Sequence, residues 1–233
     1  MANRITKHIP NALTCCNLLA GCVAIMYCMR LFLIDRPMPI LICILIGAAF
    51  DFCDGLAARA LKAYSPVGKE LDSLADVITF GLAPALLCMH TVSKLYPQSD
   101  VLPYLGLVIV VASALRLAKF NTDDRQSSSF LGLPVPANAL FWCSLVLWLP
   151  ADPSQSGILR IIIPLLIVVS AVLMLCELPL FSLKFKSFTW ADNSVRYIFL
   201  AGAVILIAGF WLKGIALTVA WYILLSLITQ RKA

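Results

Sequence analysis

The stretch Asp51–Asp76, DFCDGLAARALKAYSPVGKELDSLAD, determines how the rest of the chain is interpreted. It carries four of the 12 acidic residues, Asp51, Asp54, Asp72 and Asp76, and they interrupt two runs otherwise apolar enough to cross a bilayer. An ionisable side chain inside a membrane helix is energetically costly, so it is first considered as a functional group. Neighbouring negative charges repel one another unless a cation lies between them, and divalent cations prefer carboxylate oxygens. The stretch therefore predicts a divalent-metal site within a membrane protein.

The spacing of the four acids predicts that they meet. In a helix, Asp51 and Asp54 stand at positions i and i+3, and Asp72 and Asp76 at i and i+4, so each pair shares a face. The segment 63–68 between them contains Ser-Pro and Gly and is typical of a tight connection. Two antiparallel helices joined in this way can hold two divalent ions that clamp phosphoryl oxygens. A purely structural ion-pair role is disfavoured, because too few basic residues lie in the same span to neutralise four acids.

Three further residues of the stretch suit a phosphate ligand. Gly55 and Gly68 have no side chain, so a ligand can approach the backbone there. Arg59 offers a planar fork that matches phosphate. With the acids, these residues complete a pattern that resembles the signature of the CDP-alcohol phosphotransferase family, with every signature position filled: Asp51-x2-Asp54-Gly55-x2-Ala58-Arg59-x8-Gly68-x3-Asp72-x3-Asp76.

Other stretches resemble one branch of that family, the phosphatidylserine synthases. They are Ser73–Pro84 (SLADVITFGLAP), Arg116–Asn121 (RLAKFN) and Phe130–Pro136 (FLGLPVP). The resemblance runs from about Pro10 to Pro136, and the remainder of the chain matches only as generic membrane helices.

The resemblance implies a reaction and a set of site residues. The phosphatidyl group of CDP-diacylglycerol would pass to the hydroxyl of L-serine with release of CMP, assisted by two divalent cations, Mg²⁺ or Mn²⁺. One cation would be bound by Asp51, Asp54 and Asp72, and the other by Asp51, Asp72 and Asp76, with Asp76 also acting as the general base. The resemblance also implies a homodimer. The residues facing the CDP moiety would be Asn11, Thr14, Gly55, Arg59, Ser65 and Gly68. For Asn11 and Thr14 the alternative is an ordinary helix start with a polar cap.

Composition indicates a single-domain integral membrane protein, residues 1–233. Of these residues 61% are hydrophobic and 13% charged, with a mean hydropathy of +0.94, against about 45–50% and about 25% in soluble domains. The net charge of +6 is attributed to membrane topology and not to nucleic-acid binding, because no basic run with interleaved aromatic residues occurs. The nine cysteines fall mostly in apolar runs, which favours buried thiols over disulfides or zinc ligands.

The predicted fold is an all-α polytopic bundle of about eight transmembrane helices, preceded by a short surface segment at residues 1–13. The last two helices are short and joined by a tight link at Lys213–Gly214, so seven spans, or a re-entrant hairpin at the end, remain alternatives. The predicted spans are about 12–34, 39–62, 71–93, 102–121, 136–150, 158–182, 195–211 and 214–229.

The distribution of basic residues predicts the orientation. With both termini inside, 13 of the 18 Lys and Arg residues lie on the inner side, as the positive-inside rule requires. The connection between the two acidic helices would then face the cytoplasm of a bacterial-type cell membrane. The five basic residues on the outer side would be Arg30, Arg36, Lys94, Arg160 and Lys213.

The serine pocket is predicted from charge alone. A zwitterionic acceptor needs a cation for its carboxylate, and Arg116, Lys119 and Asn121 lie at the inner end of the fourth span. The alternatives are basic side chains that reach the membrane edge and, for Asn121, a helix cap.

Three other functions remain as alternatives. The same chemistry with glycerol phosphate, inositol phosphate, choline or a second lipid as acceptor is disfavoured by the Arg116–Asn121 and Phe130–Pro136 stretches. A transporter or channel would also contain intramembrane acids, but it does not require Gly55, Arg59 and Gly68 at these positions. A purely structural membrane protein is the weakest alternative.

Overall fold

The computed structural model describes residues 8–31, 36–122, 130–181 and 189–230, and the structural statements below concern these residues. Residues 1–7 of the predicted N-terminal surface segment and the polar stretch 123–129 lie outside the described residues. Residues 9–13 of that segment belong to the first membrane helix, which therefore begins earlier than the predicted residue 12. The described chain is helical apart from turns and one pair of two-residue strands. This confirms the prediction of an all-α, multi-pass membrane protein.

The helices alternate in direction to form a bundle. Six stretches in the described part of the chain are long and apolar enough to cross a membrane, and Val135–Trp148 is a shorter apolar helix beside them. One of the six, Asn193–Thr229, is divided by a turn into α8 and α9, which occupy the positions of the two short predicted spans 195–211 and 214–229. The described residues thus contain six spanning stretches and one shorter apolar helix where about eight helical passages were predicted. The helices are α1 Ile9–Leu31, α2 Met38–Ala60, α3 Pro66–Asp76, α4 Ala83–Leu95, α5 Leu107–Thr122, α6 Val135–Leu145, α7 Gly157–Leu175, α8 Trp190–Phe210 and α9 Gly214–Gln230.

The third passage is a continuous helical rod, Pro66–Leu95, which begins earlier than the predicted residue 71. Its start is fixed by Ser65, whose hydroxyl accepts a hydrogen bond of 2.9 Å from the N–H of Gly68. Ser is a favoured helix cap and Pro a favoured first residue. Gly68 therefore lies in the first turn of α3 and not in the connection.

A π-helical segment, Val77–Leu82, joins α3 to α4. Pro84 follows it, and because proline has no N–H, the regular hydrogen-bond ladder is interrupted at this point. The N–H of Ala83 bonds instead to the carbonyl of Ile78, five residues back. Such segments are frequent at functional sites, and this one follows Asp76 directly.

The sixth passage ends at Leu175, not at the predicted residue 182, because a short strand pair takes over. Phe130 pairs with Leu180 in an antiparallel register. Gly132 has a φ of +74°, and a Cβ there would lie 2.7 Å from the carbonyl oxygen of Cys176. The N–H of Leu133 donates to the carbonyl of Leu173 at 2.8 Å, which satisfies one of the carbonyls that a helix end leaves free.

The last two helices form a hairpin that is anchored to α6. The chain reverses at Trp211–Lys213, where Trp211 has a φ of 52°. The hydroxyl of Ser144 lies 2.7 Å from the carbonyl oxygen of Leu212 and accepts a 2.9 Å hydrogen bond from the N–H of Ala216. The reversal therefore lies at the same end of the bundle as the end of α6.

The centre of the bundle is α4, which has Leu87, Cys88, Val92 and Leu95 fully buried. Trp142 of α6 packs in the same core, and its indole N–H donates to the Ser170 hydroxyl at 3.1 Å. Buried thiols were predicted, and four of the nine free cysteines are buried, two are half-buried, and three are exposed, namely Cys15, Cys22 and Cys53. The core thus holds α4 and its π segment rigidly behind the acidic residues.

Candidate active site

Three of the four acids form a cluster between α2 and α3. Carboxylate oxygens of Asp51, Asp72 and Asp76 all lie within 4.8 Å of one another. Helix α1 packs closely against both α2 and α3, whereas α2 and α3 approach each other less closely, which leaves a cleft between them. Asp76 is the deepest of the three, with 7% of its surface exposed.

Asp54, the fourth acid, lies one turn along α2 and is held by α1. Its Oδ2 lies 2.6 Å from the hydroxyl of Thr14, which is also 3.0 Å from the carbonyl oxygen of Pro10. A hydroxyl has one hydrogen and donates it to one of these oxygens at a time. Thr14, predicted to face the nucleotide, thus has a direct contact with an acid of the signature.

Asn17 is a site residue that the sequence analysis did not identify. It is fully buried, and its amide nitrogen donates a 3.1 Å hydrogen bond to Oδ1 of Asp76. Its backbone carbonyl accepts a 3.0 Å hydrogen bond from the hydroxyl of Thr79 in the π segment. A signal was present, because Asn11, Thr14 and Asn17 recur every three residues and so follow one side of α1.

A cavity of about 220 Å³ lies beside the cluster, between the start of α1, the end of α2 and the start of α3. The wall of the cavity is tightly packed at Gly68, because a Cβ at this position would lie only 2.9 Å from Oδ1 of Asn11. Arg59 is exposed, and its guanidinium lies 3.9 Å from where a Cβ of Gly55 would stand. The predicted nucleotide residues that line the cavity are Asn11, Thr14, Gly55, Ser65 and Gly68, together with Asp54, Asp72 and Lys69.

The three predicted serine-pocket residues have different environments. Arg116 is 8% exposed and lies close enough to Asp76 for their charges to interact. Its Nε has no hydrogen-bond partner among the described residues. Lys119 instead forms a 2.8 Å ion pair with Glu177, and both side chains are about half exposed. Of the two basic residues predicted for the serine pocket, Arg116 is therefore a buried cation, whereas Lys119 belongs to a surface ion pair.

Asn121 joins α5 to α3. Its side-chain amide nitrogen donates to the Ser73 hydroxyl at 2.8 Å, and its backbone carbonyl accepts from Nζ of Lys69 at 2.8 Å. The side chain therefore bridges two helices and does not cap its own.

The cluster has the chemistry that divalent cations require. Its donors are oxygens, which Mg²⁺ and Mn²⁺ prefer. Oδ1 of Asp72 is buried without a hydrogen-bond partner in the part of the chain that the structure describes. A buried acceptor left unpaired is unfavourable, and a bound cation would satisfy it.

Fold and site together define a class: multi-pass membrane proteins with an acidic cluster suited to metal ions at one end of the helix bundle. Within that class the chain belongs to the CDP-alcohol phosphatidyltransferase family, whose model matches residues 7–181. The match includes α1 to α7 and with them all four acids. The resemblance inferred from the signature is thereby confirmed.

Curated relatives carry the name CDP-diacylglycerol–serine O-phosphatidyltransferase. The protein of Bacillus subtilis is 34% identical over 151 residues, which is 63% of this chain and 78% of the relative. That of Mycobacterium tuberculosis (strain H37Rv) is 34% identical over 145 residues, 59% of this chain and 48% of the relative. That of Saccharomyces cerevisiae is 33% identical over 141 residues, 55% of this chain and 50% of the relative. The chain thus matches about half the length of the latter two.

Proposed function

We propose that this protein transfers the phosphatidyl group of CDP-diacylglycerol to L-serine and releases CMP. The observation that carries the proposal is the meeting of Asp51, Asp72 and Asp76 within 4.8 Å, beside a small cavity that Asp72 also lines. Buried Arg116 lies close enough to Asp76, one member of this cluster, for their charges to interact. The names of the relatives support serine as the acceptor.

The donor would lie with its diphosphate at the acidic cluster. Two divalent cations, Mg²⁺ or Mn²⁺, bound by Asp51, Asp54, Asp72 and Asp76 would supply charge neutralisation for the phosphoryl oxygens. The cavity of about 220 Å³ formed by α1, α2 and α3 would receive the cytosine end of the nucleotide. Arg59, exposed at the edge of this region, would approach a phosphate from the aqueous side.

The acceptor step requires a base, because a serine hydroxyl is a poor nucleophile at neutral pH. Asp76 would accept the hydroxyl proton while the oxygen attacks the phosphorus that carries diacylglycerol. The new P–O bond forms as the bond to CMP breaks, and CMP leaves with the electron pair. Asn17 would orient the carboxylate through its 3.1 Å hydrogen bond, so it acts as a positioning residue.

The proposal also includes the orientation of the protein in the membrane, the extent of its domain and its oligomeric state. We propose that the connection between α2 and α3 faces the cytoplasm of a bacterial-type cell membrane, because most basic residues flank that side. We also propose that residues 1–233 form one domain: the α8–α9 hairpin lies beyond the family match, and α9 packs against α6, where the N–H of Ala216 donates to the Ser144 hydroxyl. A homodimer remains part of the proposal.

Arg116→Ala is expected to raise the KM for serine about 10- to 100-fold, because a charge-assisted hydrogen bond contributes about 1.5–3 kcal/mol. The KM for CDP-diacylglycerol should stay within about twofold in the same steady-state assay. Lys119→Ala is the matched control, because that cation is paired with Glu177 on the surface. Equal effects of Arg116→Ala on both KM values would refute the serine-pocket assignment.

Asn17→Ala is expected to lower kcat about 10- to 100-fold, the usual effect of losing a residue that orients a metal ligand. The KM for CDP-diacylglycerol should change little, because Asn17 contacts Asp76 and not the cavity. Asn17→Gln, which keeps an amide donor, should recover part of the loss. A fall in activity that matches a fall in the folded fraction would reduce Asn17 to a packing role.

The experiment that tests the proposed function is an acceptor panel. Purified protein in detergent is given CDP-diacylglycerol and Mn²⁺ with serine, glycerol phosphate, inositol phosphate or choline, and the lipid product is identified by its mass. The proposal predicts phosphatidylserine as the product. A different product lipid would retain the family and refute serine as acceptor.

A further inference from the structure

A tyrosine of the last helix, Tyr222 of α9, lies beside the buried cation Arg116. The two side chains are close enough for electrostatic interaction, and Arg116 interacts in the same way with Asp76 of the acidic cluster. The family match ends at residue 181, so Tyr222 lies beyond it. Tyr222 is therefore a neighbour of the predicted serine pocket that the sequence analysis did not identify.

The contacts of Tyr222 fix both its ring and its hydroxyl. The ring packs edge-on against Phe181 and Phe199, with centroid distances of 4.9 and 5.6 Å. The hydroxyl donates a 2.9 Å hydrogen bond to the backbone carbonyl of Phe181. Phe181 directly follows the short strand Pro179–Leu180, so the hydroxyl is anchored to the strand pair that precedes α6.

This hydrogen bond determines what the hydroxyl can offer to another group. A tyrosine hydroxyl has one hydrogen, which here is donated to Phe181, so only the lone pairs of its oxygen remain and Tyr222 is left as a hydrogen-bond acceptor. A guanidinium has donors and no lone pair to offer. Arg116 is 8% exposed, and its Nε has no hydrogen-bond partner in the part of the chain that the structure describes. The two neighbours therefore present donors and an acceptor side by side.

We propose that Tyr222 is a specificity-determining residue whose oxygen accepts a hydrogen bond from the ammonium group of L-serine, while Arg116 binds the carboxylate. This inference rests on the proposed function, with serine as the substrate that receives the phosphatidyl group. Serine carries both charged groups on one carbon, so its two partners must be neighbours, as Arg116 and Tyr222 are. Each charge also needs a partner once it leaves water.

The same arrangement discriminates against the competing alcohols. Glycerol phosphate and inositol phosphate have no ammonium group, and the quaternary nitrogen of choline has no N–H to donate. None of them would use the oxygen of Tyr222. The α8–α9 hairpin would thereby contribute to the choice of substrate as well as to the packing of the bundle.

The test compares serine with 3-hydroxypropionate, which is serine without its ammonium group. Tyr222→Phe removes the hydroxyl and keeps the ring that packs on Phe181 and Phe199. The KM for serine in phosphatidylserine formation should rise at least about tenfold, because a hydrogen bond to a charged group is lost. The inhibition constant of 3-hydroxypropionate should stay within about twofold. Arg116→Ala, which removes the partner of the shared carboxylate, should weaken both ligands.

Tyr104→Phe is the matched control and should behave as wild type does, because Tyr104 is 58% exposed in the connection between α4 and α5. Both constants are independent of the folded fraction, so partial misfolding does not imitate the expected result. An unchanged KM for serine in Tyr222→Phe, or equal weakening of both ligands, would overturn the inference and leave the proposed function standing. A folded wild-type protein that makes no phosphatidylserine would overturn the proposed function and this inference with it.

Discussion

Asp76→Asn should lower kcat by about 10³-fold or more while the protein still binds CDP-diacylglycerol. A positioned general base contributes about 10²–10⁴-fold, and the same substitution also removes a negative charge from the carboxylate cluster. The amide is nearly isosteric with the carboxylate and can still accept the hydrogen bond from Asn17, which is 3.1 Å long in the native protein. The variant should therefore lose turnover while it remains folded.

The measurement combines single-turnover kinetics with binding of a CDP-lipid analogue. Glu70→Gln is the matched control, because Glu70 is an exposed carboxylate on the same helix. The control should retain wild-type turnover. Near-normal activity of Asp76→Asn would contradict the assignment of Asp76 as base.

Asp72→Asn should weaken Mn²⁺ binding by at least about 100-fold, the upper end of what loss of a supporting residue alone produces. The reason is the position of Asp72, which lies within 4.8 Å of both Asp51 and Asp76 and has an oxygen buried without a partner among the described residues. Metal affinity is measured directly by electron paramagnetic resonance of Mn²⁺, without substrate. The readout is therefore independent of turnover.

Glu70→Gln again serves as the control and should bind Mn²⁺ as wild type does. The unfolding temperature of Asp72→Asn without metal should not fall, because the substitution removes one of several mutually repelling charges. A variant that bound Mn²⁺ as tightly as wild type would remove Asp72 from the metal site. A variant destabilised without metal would contradict the electrostatic explanation.

Helical spacing explains why the acidic cluster was predictable. The separations of Asp51 from Asp54 and of Asp72 from Asp76 fix shared faces whatever the rest of the fold does. The α1 residues Asn11 and Thr14 were predicted only from the family resemblance, because helical spacing relates residues of one helix and the acids lie on other helices. The three-residue recurrence of Asn11, Thr14 and Asn17 placed Asn17 on the same side of α1, but it did not identify the partner of Asn17, Asp76, which lies 59 residues away.

Other features depend on tertiary contacts that a sequence pattern does not encode. The strand pair β1 (Phe130–Leu131) with β2 (Pro179–Leu180) is two residues long in each strand, too short to show a period. It shortens the sixth passage relative to the prediction. Likewise, the ion pair of Lys119 with Glu177 joins residues 58 positions apart, and without it Lys119 was grouped with Arg116.

The π-helical segment Val77–Leu82 was predictable only in part. Pro84 signals an interruption of the hydrogen-bond ladder near residue 80, but proline alone does not distinguish a kink from a widened turn. The outcome depends on packing, because Thr79 of this segment bonds to the Asn17 carbonyl on α1 at 3.0 Å. The segment thereby connects the residue that orients Asp76 to the buried core.

The most direct test of the central claim is CMP release by the purified protein with CDP-diacylglycerol and Mg²⁺ or Mn²⁺, in the presence and absence of L-serine. The account predicts release that requires serine and stops on addition of a chelator. Release unaffected by chelation would contradict the metal role of the acidic cluster. No release with any acceptor, from protein shown to be folded and to bind Mn²⁺, would contradict the catalytic proposal itself.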